Sequence, residues 1–254
     1  MRFLLYNICY ATHGNQRKWP LLGLLGRTRN HLDEIIEFVR SVHPDVVGLL
    51  EVDNGSYRSG AMSQAEKMAD ALGHFHCYRS KYGETSRWQR IPIYNQQGNA
   101  FLAKDTIQSE TFHYFKRGMK KLVIELELEN ITFFLVHLAL GYKARQEQIL
   151  HLYRLVKETK RPYILAGDFN AFMGEDEIQL LMSASGLQNA DPDLQPSFPS
   201  HNPKRHLDFI LHSPEIKIEK FWIPQIRLSD HLPLLIDFEI DSSVSEKNET
   251  NQDA

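Results

Sequence analysis

In the segment Tyr163–Asn170, YILAGDFN, an apolar strand runs into Gly167 and is followed by Asp168 and Asn170, two positions apart. That spacing aims both side chains to one side while the backbone stays extended. A carboxylate so placed can orient or deprotonate a water, and a carboxamide can donate to a phosphoryl oxygen; attack on a phosphoester needs both. The rival reading is an Asp-type turn with no chemistry. A second polar pair, Asp230–His231, stands in LSDHLPLL just before an apolar strand. Its imidazole can contact a phosphate or relay a proton once a partner fixes the tautomer. Asp208, flanked by apolar neighbours in HLDFIL, is costly to bury unpaired, so an Asp208–His231 dyad accounts for both residues.

Three further polar groups stand where apolar runs stop: Asn7 after FLLY, Glu51 after VVGLL and His137 after TFFLV. Strand ends converge on one rim, and oxygens from Glu51 and Asn7 suit a hard ion such as Mg²⁺. Each of the three, taken alone, is also explained as a simple strand terminus.

The elements that must position these groups are short runs rich in Val, Ile, Leu, Phe and Tyr. Strands are expected at Arg2–Tyr6, Val46–Leu50, Ala100–Ala103, Leu122–Leu128, Thr132–His137, Tyr163–Ala166, Leu207–Leu211, Ile216–Phe221 and Leu234–Ile240. Leu32, Ile35, Ile36 and Val39 form a helical stripe, with Asp33 and Glu34 expected in the first turn. Ile149, Leu152, Tyr153 and Val156 form another, ending near Pro162. One-sided helices outside near-continuous apolar strands imply sheets buried on both faces. The loops His13–Thr28 and Arg79–Gly98 are longer than ordinary connections. The first carries WPLLGLLG, a membrane-contacting or substrate-clamping element unless it packs on its own domain. The second mixes cations with aromatics and either steers a phosphate-bearing substrate or merely keeps a long loop soluble. HFHC at His74–Cys77 has zinc-type ligands but lacks a second pair, which favours a half-buried strand.

Bulk properties narrow the field. With 254 residues and 42% hydrophobic content, the chain can bury a substantial core. One domain over residues 1–240 is expected, followed by a polar, disordered tail at 241–254. A net charge of −3 lacks the basic excess of a protein that coats nucleic acid. Two cysteines, Cys9 and Cys77, give no disulfide framework and favour a reducing, cytoplasmic location. Asn7 interrupts the first apolar run before a signal-peptide core forms, and no stretch reaches the ~20 apolar residues of a membrane span.

The ordered set Asn7, Glu51, GNA at Gly98–Ala100, His137, GDFN at Gly167–Asn170, LDFI at Leu207–Ile210 and SDHLP at Ser229–Pro233 resembles the endonuclease/exonuclease/phosphatase superfamily over essentially residues 1–240. The resemblance implies an α/β fold, a four-layer α/β sandwich of two mainly antiparallel sheets with helices outside, and a Mg²⁺-dependent site (Mn²⁺ as an alternative) along one rim. By this resemblance Glu51 binds the metal with Asn7 and Asp230 near it, and Asp168 activates the attacking water, with His231 the other candidate base. Asn170, His137 and His231 contact the phosphate, and Asp208 orients His231. Asn99 of GNA lies near the site. EVDNGSYRSG at Glu51–Gly60 is similar to bacterial small-phosphodiester branches, in which Arg58 supplies a phosphate contact; an ordinary salt bridge is the alternative. The expected activity is hydrolysis of a small or lipid-headgroup phosphoester. A DNA or RNA nuclease using the same centre and a noncatalytic binding module are the competing functions.

Overall fold

The computed structural model describes residues 1–12, 29–83, 90–92 and 94–241. The expected loop His13–Thr28, part of the loop Arg79–Gly98, and the expected tail beyond Asp241 lie outside the described residues. The first sheet is built from β1 (Arg2–Asn7), β2 (Val46–Asp53), β3 (Phe75–Ser80), β4 (Gln97–Ala103), β11 (Ile216–Trp222) and β12 (Leu234–Ile240), in the order β11-β12-β1-β2-β4-β3. The second comprises β5 (Ser109–Tyr114), β6 (Leu122–Glu127), β7 (Thr132–His137), β8 (Tyr163–Asp168), β9 (Gln188–Asn189) and β10 (Asp208–His212), in the order β5-β6-β7-β8-β10-β9. Pairing is antiparallel except for one central parallel pair in each sheet, β1 with β2 and β7 with β8.

Alternation along each strand creates the layers. Phe3 and Leu5 of β1, with Phe133 and Leu135 of β7, face the core between the sheets. Leu4 and Tyr6 face outward against α1 (Arg29–Ser41) and α2 (Gln64–Leu72). Phe134 and Val136 face outward against α3 (Tyr142–Glu158) and α4 (Asp176–Ser185). Strands with an apolar partner on both faces need continuous apolar sequence, as β1 and β7 have. Phe133 meets Phe3 at 5.3 Å and Phe101 at 6.0 Å between ring centroids. Truncating such a buried ring to Ala costs about 3–5 kcal/mol.

The helices anticipated around Leu32 and Ile149 form with their apolar stripes on the sheets. The first begins at Arg29, so Asp33 and Glu34 fall beyond its first turn, which holds no acid. Two helices, α2 and α4, and two strands, β5 and β9, are not expected from the sequence. α2 buries mainly small or flexible groups, Ala65, Met68 and Ala69, which makes a faint stripe. It is instead marked by its ends: the Ser63 side chain accepts from Glu66 N–H, and Gly73 closes it at φ +69°. β3 and β5 are edge strands with polar, partly exposed sequences. HFHC runs into β3, where Cys77 is buried and His76 exposed, an alternation that explains it as strand. Among the described residues, no helix is long and apolar enough to cross a membrane.

Candidate active site

The two parallel pairs bring three strand ends, Asn7, His137 and Asp168, to one place beside Glu51. Glu51 lies not at the end of a strand as expected but within β2, which continues to Asp53. Asn7 ends β1 opposite Leu50, so Glu51 follows immediately beside it. His137 ends β7 opposite Asp168, and Asp208, the first residue of β10, lies on Asp168's other side. Gly167 permits this approach: a Cβ there would meet the Val136 carbonyl oxygen at 1.9 Å. Gly98 does the same between β3 and β4, where a Cβ would meet the Arg79 carbonyl oxygen at 2.1 Å. The glycines of GDFN and GNA are thus required by backbone contact.

Glu51 departs from regular strand geometry. Its φ is +55°, and the β2–β4 register shifts between Leu49 and Val52, a bulge that re-aims its side chain. Asn99 Oδ1 accepts from the Glu51 N–H at 3.4 Å, giving Asn99 a role behind Glu51. Asn170 also has a positive φ, +51°, with its N–H donating to Asp168 Oδ1 at 2.9 Å and its side-chain amide to the Leu138 carbonyl at 2.9 Å. Two non-glycine residues in the left-handed region at one rim is the strain pattern found at functional sites.

The carboxylates and imidazoles form one buried network. His231 Nδ1 lies 2.7 Å from Asp208 Oδ2, which also accepts from the Ser197 hydroxyl. His231 Nε2 then points toward Asp168 Oδ2 at 3.9 Å, while Phe198 packs on the ring at 4.8 Å. Asp168 Oδ2 is also 3.0 Å from His137 Nε2 and 3.5 Å from the Asn7 amide nitrogen. Burial opposes a charge on His231, but Asp208, Asp168 and Asp230 outweigh it and push the imidazole up to about 10. Burial likewise opposes ionisation of Asp168, yet His137, His231 and Lys120 hold it below the usual carboxylate range. His137 is lowered, by burial first and by Lys120 second.

Beside this network lies a second group. Lys120, which nothing in the sequence singled out, places Nζ against His137 Nε2 and 3.7 Å from Glu51 Oε1. Burial raises Glu51, but Lys120, His137 and Lys81 together lower it. Lys81 donates to the Tyr10 hydroxyl at 2.6 Å, and burial pushes its ammonium down to about 8. Asp230 accepts from the Ser229 hydroxyl at 3.1 Å, and burial, aided by Glu51, raises its carboxyl. Arg58 does not join the site as expected. Its side chain is fully buried, pairs with Asp53 at 2.9 Å and lies under the Tyr10 ring at 5.1 Å, which accounts for it as a structural ion pair behind the rim.

The donor set fits a divalent cation. Asp168 and Asp208 offer buried carboxylate oxygens within 4.8 Å of each other, and Asp208 Oδ1 is buried with no hydrogen-bond partner among the described residues. A buried, unsatisfied carboxylate oxygen calls for a cation or a water, and carboxylate and amide oxygens suit hard ions.

Comparison with known proteins agrees with this fold. A UPF0294 protein of Vibrio vulnificus is 28% identical over 164 residues, 62% of this chain and 48% of that protein; the chain thus spans about half the length of the curated relatives it matches. An endonuclease/exonuclease/phosphatase from Beutenbergia cavernae superposes with a TM-score of 0.71 at 16% identity, covering 94% of this chain and 71% of the other. A mannosyl-6-phosphatase from Bacteroides thetaiotaomicron superposes with a TM-score of 0.70 at 15% identity, covering 94% and 100%. These two share the four-layer fold. The model of the Endonuclease/Exonuclease/phosphatase family matches residues 7–231, from Asn7 to His231, and the chain belongs to that family.

Proposed function

We propose that the protein is a Mg²⁺- or Mn²⁺-dependent phosphodiesterase acting on a small or lipid-headgroup phosphoester. The observation that carries this reading is Asp168 set between two imidazoles, His137 at 3.0 Å and His231 at 3.9 Å, with Asp208 on the far nitrogen of His231 at 2.7 Å. Asp208 fixes the His231 tautomer and favours the imidazolium, which makes that ring a donor to a phosphoryl oxygen. Asp168 is then the group able to take a proton from water. In the step, the water oxygen bonds to phosphorus and the bond to the leaving oxygen breaks. The water proton passes to Asp168, and the leaving oxygen is protonated from solvent. Asn170 and His137 contact the remaining phosphoryl oxygens. Glu51, Asn7 and Asp230 would hold the cation, with Asp168 and Asp208 close by; when bound, it supplies positive charge to the phosphoryl oxygens.

Two features support a compact substrate. The net charge of −3 offers no general attraction for a nucleic-acid backbone, and the cations nearest Glu51, Lys81 and Lys120, are half-buried, suited to a single phosphate. The mannosyl-6-phosphatase named above has this fold and, by its name, acts on a small phosphate ester. Cys9 and Cys77 are unbridged, in keeping with a cytoplasmic location. A metal-supplemented screen of sphingomyelin, phosphoinositides, nucleotide diesters, RNA, an abasic duplex and plasmid DNA tests the reading. Turnover of a small diester ahead of DNA is expected; efficient DNA nicking without turnover of small esters would replace it with a nuclease.

A further inference from the structure

α3 lays Ile149, Leu152 and Val156 on the second sheet and turns another face toward the chain leaving β5. Between that face and residues 115–117 lies a cavity of about 520 Å³, within the range of small-molecule sites. It shares no lining residue with the catalytic rim.

We infer that this cavity is a binding site for a phosphate-monoester dianion. Lys116, Arg117 and Arg154 line it, with His113 and His151. Its carboxylates are Glu147 and Glu158, so formal positive charge exceeds negative before either histidine is protonated. Arg117 pairs with Glu147 at 2.8 Å, but both partners are exposed, at 69% and 49%, and such pairs hold weakly. His113 is engaged by Glu125 at 2.6 Å. Lys116 and Arg154 have no ion pair among the described residues and stand ready for an anion. His151 packs edge-on against Phe115 at 5.4 Å, which holds the ring at the wall. Its imidazole is lowered by burial and then by His113, Arg154 and Lys116, the signature of a positive field inside the cavity. An ammonium, a guanidinium and an imidazole around one small space match the several acceptor oxygens of a phosphate dianion better than a monovalent ion.

The pocket also borders the segment that serves the catalytic rim. Gln148, in its wall, donates to the Arg117 carbonyl at 3.0 Å and the Lys120 carbonyl at 2.8 Å, and accepts from Ala139 N–H at 2.8 Å. The chain that presents Lys116 and Arg117 to the cavity therefore continues directly to Lys120 beside His137.

The test is a titration of the full chain with inorganic phosphate, followed by histidine side-chain NMR, with a chloride titration at matched ionic strength as reference. His151 should shift saturably with phosphate and not with chloride. In the double variant K116Q/R154Q, whose altered residues are exposed, the affinity read at His151 should fall at least about tenfold, as for loss of two charge-assisted hydrogen bonds. Phosphate binding read at His231 should be unchanged, which separates this pocket from the catalytic rim. A His151 shift that chloride reproduces, or one that survives K116Q/R154Q at full affinity, would overturn the proposal. Because binding is read without turnover, its failure is distinct from failure of the phosphodiesterase reading.

Discussion

The two sheets contribute to the rim in the same topological way and with different chemistry. Each contributes one parallel pair: β1 and β2 deliver Asn7 and Glu51, while β7 and β8 deliver His137 and Asp168. The second sheet's half is closed on itself. Asp168 is contacted by His137, Asn7 and the Asn170 N–H, and Asp208 by His231 and Ser197. The first sheet's half is looser, with Glu51 turned out by a bulge and held to Lys120 and His137 only at 3.7 and 3.9 Å. The second sheet's half is therefore held mainly by internal contacts, while the Glu51 carboxylate has only longer ones. A network held by several internal hydrogen bonds resists change, whereas a loosely held donor set answers to what binds it.

The largest expected effect sharpens that division by removing Arg58, which sits behind the open half. Arg58→Met should cost about 3–5 kcal/mol in denaturant unfolding, the scale for stranding a buried charge such as Asp53, with KM unaltered in the protein that remains folded. Unchanged stability with a raised KM would put Arg58 on the substrate. Next comes the closed half: Asp168→Asn should lower turnover at least about 10²-fold with little change in ground-state binding. Near-normal turnover would move the base to His231. Asp208→Asn keeps the shape but weakens the hold on His231, and should lower turnover about tenfold. A variant that changed metal demand instead would mean Asp208 belongs with the open half.

How much of this was legible in the sequence depended on whether the signal was local. Apolar runs ending in a polar residue are local, so Asn7, His137 and Asp168 showed themselves, and the Asp208–His231 pair followed from the cost of burying an acid alone. Four-layer packing followed from strands such as β7, apolar on both faces. Glu51 was legible as the polar residue closing an apolar run, but its bulge within β2 was not, because the shift is set by pairing with β4. Lys120 lies in an ordinary basic stretch, KRGMKKL, and its contact with His137 is a long-range one that no local pattern marks. Arg58 takes the salt-bridge alternative, and what the sequence does not show is that the pair with Asp53 is buried. Edge strand β5 lacks the apolar alternation that reveals interior ones.

On the proposed function, the open half of the rim works through a divalent cation held at Glu51. The direct measurement is initial rate against free Mg²⁺ or Mn²⁺, starting from protein dialysed with chelator, for the wild type and Glu51→Gln. The account expects no turnover in chelator and full recovery with added metal. It also expects a variant that needs at least about tenfold more metal, the scale of losing one charged donor, while unfolding at the same denaturant midpoint. Full wild-type turnover in chelator, or a Glu51→Gln curve superimposable on the wild type, would contradict it.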